Sequence, residues 1–495
     1  MAFQVTALLL GGLAPFEATA IFARVADADY EVVRRVEIMD KVSVFGPAML
    51  TPRLPLIVLI CLGCSSCVDY VPAPVSVENI DRDFADRKLP AQTHAWTIPD
   101  FILLSKKRQA GREQAAAQYA TAQAALITAG GSVNPTVSLV PGINTSAASG
   151  TPSGTPSASF DLLFETAHKK DLRLLKAQQQ LLKAGFTQQD TEWQLDAAVR
   201  HAGWNLAFAQ ERQALQTQAL AAQEKVLGLA KHQLEAGLIA PTDVQSQELA
   251  WRKARLDLAD AEAAALEARA QLAEAVGLPL QALVRAKLNL AAEPPAQRTS
   301  SQAIARVRQA ALVHRPDVAM GLADYAAAEA DLALEVAKQY PDIKVSPGYQ
   351  WDQGSNKWQL GLGFDLPLFN QNQGPIAEAS ARRREAQSRL EMLQAKISAE
   401  VDRAVPALQQ AWKTYQVARD LLKTQGEKKT TALRRAQAGQ GEPMDTLLAE
   451  ADLISAQLVL VDRASKWAQQ LEALEALTRP PLGATGHVAA EQNSK

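Results

Sequence analysis

Along most of the chain, apolar positions recur every three or four residues, the period of a helix buried along one stripe. The clearest run comprises Ala386, Leu390, Leu393, Ile397, Val401, Ala404, Leu408, Ala411, Tyr415 and Leu422, and it persists to about Leu433. It predicts a helix of about sixty residues, about 90 Å long at 1.5 Å per residue. Pro375 opens it in the place of an N1 proline, and Pro406 should bend it unless the lost hydrogen bond is compensated. A second run, Asp445–Leu477, is about half as long and returns antiparallel. Leu172–Leu234 followed by Asp243–Val276 repeats the arrangement earlier in the chain. Helices this long imply coiled-coil-like packing rather than a globule.

Ahead of the later long run, the Ala-rich helical segment Asp317–Gln339 gives way to a period of two. Ile343, Val345, Pro347, Tyr349 and Trp351 alternate with Lys344, Ser346, Gly348, Gln350 and Asp352. After Gln353–Lys357, the even positions Trp358, Leu360, Leu362, Phe364 and Leu366 are apolar and their neighbours small or polar. Two strands over 343–352 and 358–366 are predicted, joined by a short turn. Strands of ~9–11 residues with one apolar face suit a transmembrane barrel, with Tyr349, Trp351 and Trp358 as its aromatic girdle. A soluble hairpin with one buried face remains open. A fainter copy precedes the earlier long run, with strands over 136–144 and 158–164. The segment Ser149–Ser157 between them is of low complexity, with no means of packing, and suits an extracellular loop.

The two halves are copies. Ala236-Gly237-Leu238-Ile239-Ala240-Pro241-Thr242-Asp243 and Ala438-Gly439-Gln440-Gly441-Glu442-Pro443-Met444-Asp445 both read A-G-x-x-x-P-x-D. Pro279-Leu280 and Pro481-Leu482 lie at the same separation. Phe160-Asp161-Leu162 and Phe364-Asp365-Leu366, and Pro135 and Pro341, match at nearly the same spacing. In each A-G-x-x-x-P-x-D turn the glycine ends one helix, the proline opens the next and the aspartate sits in its first turn. Plain capping therefore accounts for Asp243 and Asp445 as readily as any further role.

Composition adds exclusions. The chain has 495 residues, with 51 basic against 53 acidic side chains and a formal net charge of −2, which disfavours a dedicated nucleic-acid binder. Hydrophobic residues make up 47% and aromatic ones only 5%, so the apolar mass is largely Ala and Leu, suited to close helix packing. No stretch approaches ~18 consecutive apolar residues. The three cysteines all fall within Cys61–Cys67, which excludes a disulfide scaffold and a distributed zinc site.

Those cysteines end an apolar segment beginning after Arg53, a pattern matching a secretory signal with a lipoprotein-type cleavage site. Cys64 and Cys67 both qualify as the acylated residue; a core helix with three buried cysteines is the bland alternative. A signal cannot sit behind residues containing Glu17, Arg24, Asp27 and Glu31, whereas Met49 would start one of normal size. The expected organisation is a non-native extension over 1–48, a signal over 49–66, a lipidated tail over 67–105, repeats over 106–290 and 300–481, and a disordered tail over 482–495. Val5–Ala14 competes as a signal but has no basic residue ahead of it.

Duplicated strand–strand–long-helix units behind such a signal resemble the TolC family of outer-membrane efflux channels. Cys67-Val68-Asp69-Tyr70-Val71-Pro72-Ala73-Pro74 resembles the C-x-x-Y-x-P-x-P start of lipidated members, which favours Cys67. Arg315-Pro316-Asp317-Val318, Tyr340-Pro341-Asp342-Ile343 and Asp365-Leu366-Pro367-Leu368-Phe369-Asn370 are typical of the second repeat. The resemblance implies a mainly α protein with a transmembrane β part: a homotrimer forming a twelve-stranded β-barrel above a periplasmic α-helical barrel. It implies an anchor in outer-membrane lipid, a periplasmic adaptor, and an inner-membrane pump of the resistance-nodulation-division type. Gly237, Leu238, Pro241, Gly439 and Pro443 fall at the adaptor-facing tips, and Asp445 with Asp243 at the gate. The family's second acidic gate position is Leu448 here, and its basic partner position is Gly441. Chain physics agrees with oligomerisation, since four strands cannot close a barrel and about eight is the minimum.

Enzyme motifs are missing: there is no P-loop, no G-x-S-x-G and no H-E-x-x-H, and Gly361-Leu362-Gly363 is a strand pattern. The six histidines, His94, His168, His201, His232, His314 and His487, include no i, i+4 pair, so no metal site or cofactor is expected. The alternative function is a periplasmic coiled-coil adaptor or structural interaction protein. The cargo is open between metal cations, drugs and other small molecules.

Overall fold

The computed structural model of the chain describes residues 70–91, 94–284, 286–290 and 315–478. The proposed extension, the signal, Cys64, Cys67 and the 482–495 tail lie outside the described residues. Val77 onwards belongs to one compact unit, to which every element below belongs. Among the described residues, three helices come first: α1 (Val77–Ala85), α2 (Ile98–Arg108) and α3 (Ala110–Gly130). Strands β1 (Thr136–Val140) and β2 (Ser157–Phe164) then lead into α4 (Lys169–Glu235), α5 (Pro241–Val276) and α6 (Leu280–Val284). The second unit runs α7 (Pro316–Ala337), β3 (Ile343–Asp352), β4 (Ser355–Phe364), α8 (Gln373–Gln437) and α9 (Pro443–Thr478).

Helices α4 and α8 contain 67 and 65 residues, about 100 Å each. Their apolar stripes are covered by other helices: α4 packs on α3, α5, α7 and α9, while α8 packs on α7 and α9. The buried stripe is itself duplicated. Val199, Leu206 and Leu272 of the first unit correspond to Val401, Leu408 and Leu474 of the second, and all six are buried. In the first unit, Val199, Leu206, Leu272 and Val276 surround Trp96, Phe101 and Leu104. In the second, Ile397, Val401 and Leu408 meet Trp467, Leu471 and Leu474. The Trp467 ring lies 4.6 Å from Trp412 and 5.4 Å from Tyr415, an aromatic trio at contact separation. Phe208 of α4 packs with Ala464 and Ala468 of α9 and joins the two units directly.

Local details differ from the sequence expectation at the start of α8, at the β3–β4 turn and in the first hairpin. Helix α8 begins at Gln373, so Pro375 is its third residue rather than its first; its missing N–H still falls among the first-turn donors that have no helical partner. The helix runs unbroken through Pro406. The β3–β4 turn is the two-residue Gln353-Gly354, with φ of +49° and +92°, rather than Gln353–Lys357. Two positive φ values give the hairpin turn whose twist matches the strands, and β4 therefore starts at Ser355 and ends at Phe364, not Leu366. Finally, β1 stops at Val140, yet Ile143 still bridges Gly154. Asn144 N–H donates to Ser153 O at 2.6 Å and Thr155 N–H to Gly142 O at 2.7 Å. Part of the low-complexity loop therefore continues the hairpin.

The four strands form one antiparallel sheet in the order β1-β2-β3-β4. Its ladder pairs Leu139 with Ala158, Leu162 with Val345, and Leu362 with Val345 across the other edge of β3. Between β2 and β3 the ladder skips Phe160 and Asp161, opposite Pro347, which has no N–H to donate.

Sheet and helices are fastened by charge. Lys169, at the start of α4, is only 6% exposed. Its Nζ donates to Asp342 Oδ1 and Tyr340 O, both at 2.6 Å, just ahead of β3. Thr166 adds its N–H to the same Asp342 oxygen at 3.0 Å and its hydroxyl to Pro341 O at 2.7 Å. Burial pushes the Asp342 carboxyl up, but the hydrogen bonds from Lys169 and Thr166 outweigh it and hold the group below the usual carboxylate range. The Arg173 guanidinium similarly holds the Glu165 carboxyl low through a two-pronged ion pair. Helix α7 is tied to α4 by Lys176–Asp331 at 2.6 Å and Lys183–Asp324 at 2.8 Å.

Two outcomes follow for the Lys169–Asp342 contact. Lys169→Met should destabilise the protein by about 2–3 kcal/mol, because it strands a partly buried carboxylate and a carbonyl. The Asp342 contribution is fully present above the unfolded carboxylate pKa of about 3.9 and is lost as pH falls through the lower folded value. Thermal melts should therefore be insensitive to this pair down to about pH 5 and drop below about pH 4, with Asp342→Asn lacking that part of the acid loss.

Candidate functional site

Two regions combine chemistry with exposure: the sheet and the paired hairpin tips. The strand register places most apolar strand positions on one face, with Val140 and Leu163 on the other. Val137 and Leu139 of β1 are followed by Ala158, Phe160, Leu162 and Phe164 of β2. Ile343, Val345, Pro347, Tyr349 and Trp351 of β3, and Trp358, Leu360, Leu362 and Phe364 of β4, complete that face. The opposite face carries Ser159, Asp161, Lys344, Ser346, Gly348, Gln350, Gln359, Gly361 and Gly363. No layer covers the apolar face of β4, where Trp358 is 81% exposed and Leu362 68%. Strand β1 at one edge and β4 at the other each pair on a single side.

Tyr349, Trp351 and Trp358, the aromatics expected to form a girdle, all lie within a few residues of the Gln353-Gly354 turn. Tyr349 sits directly opposite Trp358, with ring centroids 5.0 Å apart and planes inclined by 56°. The Tyr349 hydroxyl donates to Asn356 Oδ1 at 2.6 Å, and Trp351 N–H donates to Pro156 O at 3.0 Å. Each aromatic thus presents an apolar body on the sheet's apolar face near its polar end.

The hairpin tips are two copies of one turn. Gly237 has φ +70° and Gly439 φ +69°. Gly237 N–H donates to Leu234 O at 2.9 Å and Leu238 N–H to Gln233 O at 2.8 Å. In the second tip, Gly439 N–H donates to Ala436 O at 3.0 Å and Gln440 N–H to Arg435 O at 2.9 Å. This pair of bonds is the Schellman helix end, which places glycine at the left-handed position. Pro241 and Pro443 are the first residues of α5 and α9, as expected where no N–H is needed. Leu238 is 73% exposed at its tip. The tips lie side by side, because Met444 packs against the cluster of Leu227, Ala230 and Val244 from the first hairpin.

The two aspartates differ. Asp243 Oδ2 accepts the Ala240 N–H at 3.1 Å, so this carboxylate closes its own helix start. Asp445 shares only the backbone part of that geometry: its N–H donates to Glu442 O at 3.1 Å, and its exposed carboxylate has no hydrogen bond or ion pair among the described residues. Gly441 allows the turn to close tightly, since a Cβ there would lie 3.0 Å from Ala436 N and 3.2 Å from the Arg435 carbonyl carbon. A basic side chain at 441 would have to open the turn, and Leu448 supplies no charge one turn along α9. Lys428–Asp452 at 2.6 Å and Lys429–Glu450 at 3.7 Å bind α8 to α9 just behind the tip. Among the described residues, no group of three or more His, Cys, Asp or Glu could hold a metal ion. No described helix is long and apolar enough to cross a membrane, which says nothing of a barrel.

The packing of Met444 on the first hairpin and the Lys169–Asp342 contact carry no local signal in the sequence. The Tyr340-Pro341-Asp342 motif marked one side of the latter, but its partner lies far away in the other repeat.

A mainly polar sheet face, an apolar face, two sheet edges paired on one side only and two long helical hairpins make a duplicated strand–strand–long-helix fold. Residues 106–278 and 307–478 match the outer membrane efflux protein family, and the chain belongs to that family. It is a family of transport components rather than of enzymes. The chain is 28% identical over 235 residues to the cobalt-zinc-cadmium resistance protein CzcC of Cupriavidus metallidurans, covering 47% of this chain and 55% of that one. It is 35% identical over 119 residues to the nickel and cobalt resistance protein CnrC of the same organism, covering 22% and 28%. The chain thus spans about half the length, or less, of the curated relatives it matches. Its fold matches the outer membrane protein VceC from Vibrio cholerae with a TM-score of 0.63 at 20% identity, over 77% of this chain and 96% of that one.

The aspartates give a direct test. Asp243→Ala should cost about 0.5–1 kcal/mol through the lost helix-start bond, whereas Asp445→Ala should change stability by less than about 0.5 kcal/mol. Paired thermal melts of the two variants check the difference.

Proposed function

We propose that the chain is the outer-membrane channel of a tripartite efflux system, a passive conduit working as a homotrimer. The observation that carries this reading is the sheet, whose apolar face is uncovered and whose two edges lack partners. In hydrocarbon, every backbone polar group must be satisfied within the protein, so such a sheet must close on further copies. Three copies give twelve strands, with the polar face lining the pore and the girdle of Tyr349, Trp351 and Trp358 at the membrane boundary. The hairpins continue the passage through the periplasm, and acyl chains on Cys67 tether each copy to outer-membrane lipid.

The tips around Gly237, Leu238, Pro241, Gly439 and Pro443 dock on a periplasmic adaptor, which joins an inner-membrane pump of the resistance-nodulation-division type. The named roles of CzcC and CnrC support divalent transition-metal cations as cargo. Asp445 supports that choice physically: three free carboxylates around a three-fold axis make a ring that attracts cations. Asp243, fixed by its cap in the neighbouring tip, adds negative charge to the same region.

In planar bilayers, the wild-type channel should prefer cations and Asp445→Ala should lose most of that preference. Unchanged conductance and selectivity in the variant would remove Asp445 from the gate. Fractionation checks the wider reading: the protein should partition with the outer membrane as a heat-labile oligomer. Release by a salt wash would favour a periplasmic adaptor instead.

A further inference from the structure

The two hairpin tips share one turn but differ in what lies beside it. Val199 and Val401, Leu206 and Leu408, Leu272 and Leu474, and the two A-G-x-x-x-P-x-D turns all stand at the same separation, so the hairpins correspond position by position from core to tip. In the first hairpin, Leu227, Ala230 and Val244 are buried together, with Ile239 of the turn packed on them. The corresponding residues of the second hairpin are Lys429, Ala432 and Thr446, with Gly441 in the turn. An apolar seat therefore exists at the first tip and not at the second.

The side chain that covers this seat comes from the other hairpin. Met444, in the first turn of α9, is partly buried against it. Its counterpart in the first tip is Thr242, which is exposed. The turn thus accepts a short polar residue at this place, and the methionine serves the neighbouring hairpin rather than its own. A long, flexible thioether side chain suits a seat of this kind.

No polar bond assists it. Among the described residues, the ion pair between the hairpins nearest the tips is Arg212–Asp462. From Asp462 down to Asp445, α9 runs about 25 Å with no described hydrogen bond or ion pair to the first hairpin. Lys428 and Lys429 are taken by Asp452 and Glu450 of their own hairpin. The Thr446 hydroxyl is buried with no hydrogen-bond partner. Apolar contact joins the tips.

Met444 directly precedes Asp445. Three Asp445 carboxylates gathered around one axis repel one another, which drives the second hairpins outward. Positions 441 and 448, glycine and leucine, supply no cation to offset that push. A second hairpin leaves the axis by parting from the first hairpin packed beside it, and the seat of Met444 lies at the tip end of that seam.

Building on the Asp445 gate proposed above, we infer that Met444 is a positioning residue of the gate. Seated on Leu227, Ala230 and Val244 of its own copy, it holds the Asp445 carboxylates at the narrow setting, and the passage widens when the side chain leaves its seat. Each copy carries one such latch, because the first tip offers Thr242 and the second hairpin has no seat.

Single-channel recordings on the trimer purified from outer membranes test this with two variants. Met444→Thr places the first tip's side chain at the second, and Met444→Leu keeps an apolar one. Met444→Thr should conduct several-fold more than wild type with a weaker cation preference, while Met444→Leu should match wild type. Wild-type conductance in Met444→Thr, or an equal increase in Met444→Leu, would overturn the inference. So would an increase confined to preparations that no longer run as the heat-labile oligomer. Asp445→Ala separates the two levels. If it loses cation preference while Met444→Thr is unchanged, the latch alone fails; if Asp445→Ala keeps wild-type selectivity, the gate reading fails and the latch with it.

Discussion

The open edges of a four-stranded sheet are the constraint on which the structure depends. Strands β1 and β4 each carry a row of backbone donors and acceptors with no neighbour, and the adjoining apolar face has no layer to cover it. Water would solvate the edges but not the face; lipid would accept the face but not the edges. In the proposed homotrimer, further copies of the chain resolve both demands, because they pair the edges and leave the apolar face outward. The remaining architecture follows from repeating one strand pair: the chain supplies two copies of it, and assembly supplies the rest.

A barrel assembled from separate chains transmits its geometry to the helices only if each junction is stiff. The charge cluster of Lys169, Asp342, Thr166 and Tyr340 serves that purpose, tying the first turn of α4 to the entry of β3 in the other repeat. The residues just ahead of α4 and α8, His168 and Asn372, hold left-handed backbone in both copies. Below the junction, helices α3, α5, α7 and α9 cover the stripes of α4 and α8, and the matched core of Val199, Leu206 and Leu272 with Val401, Leu408 and Leu474 keeps the two units alike. The repeats diverge at the strand turns, at the strand–helix linkers and at the tips, where Asp243 is consumed by its own helix start while the Asp445 side chain is exposed.

Periodicity made most of this visible beforehand. The alternation from Ile343 to Phe364 located the hairpin, the three-and-four spacing from Ala386 onward located α8, and the repeated A-G-x-x-x-P-x-D located both tips. The misses have physical causes. The turn at Gln353-Gly354 was placed too wide because positive φ at Gln353 leaves no compositional mark. Pro375 fits either the first or the third position of a helix, since both lack a helical acceptor for the N–H. The continuation of the first hairpin past Val140 depends on Gly142, Asn144, Ser153 and Thr155 pairing backbone groups, which low-complexity composition hides. Lys169–Asp342 and Met444 against Val244 are contacts between repeats, and no local pattern encodes a partner in the other half of the chain.

The proposed architecture depends on how many chains close the barrel. Native mass spectrometry of the protein extracted from outer membranes in mild detergent measures this directly. The account predicts a single species of three chains. A stable monomer or dimer, carrying β1 and β4 edges with no partners, would contradict it.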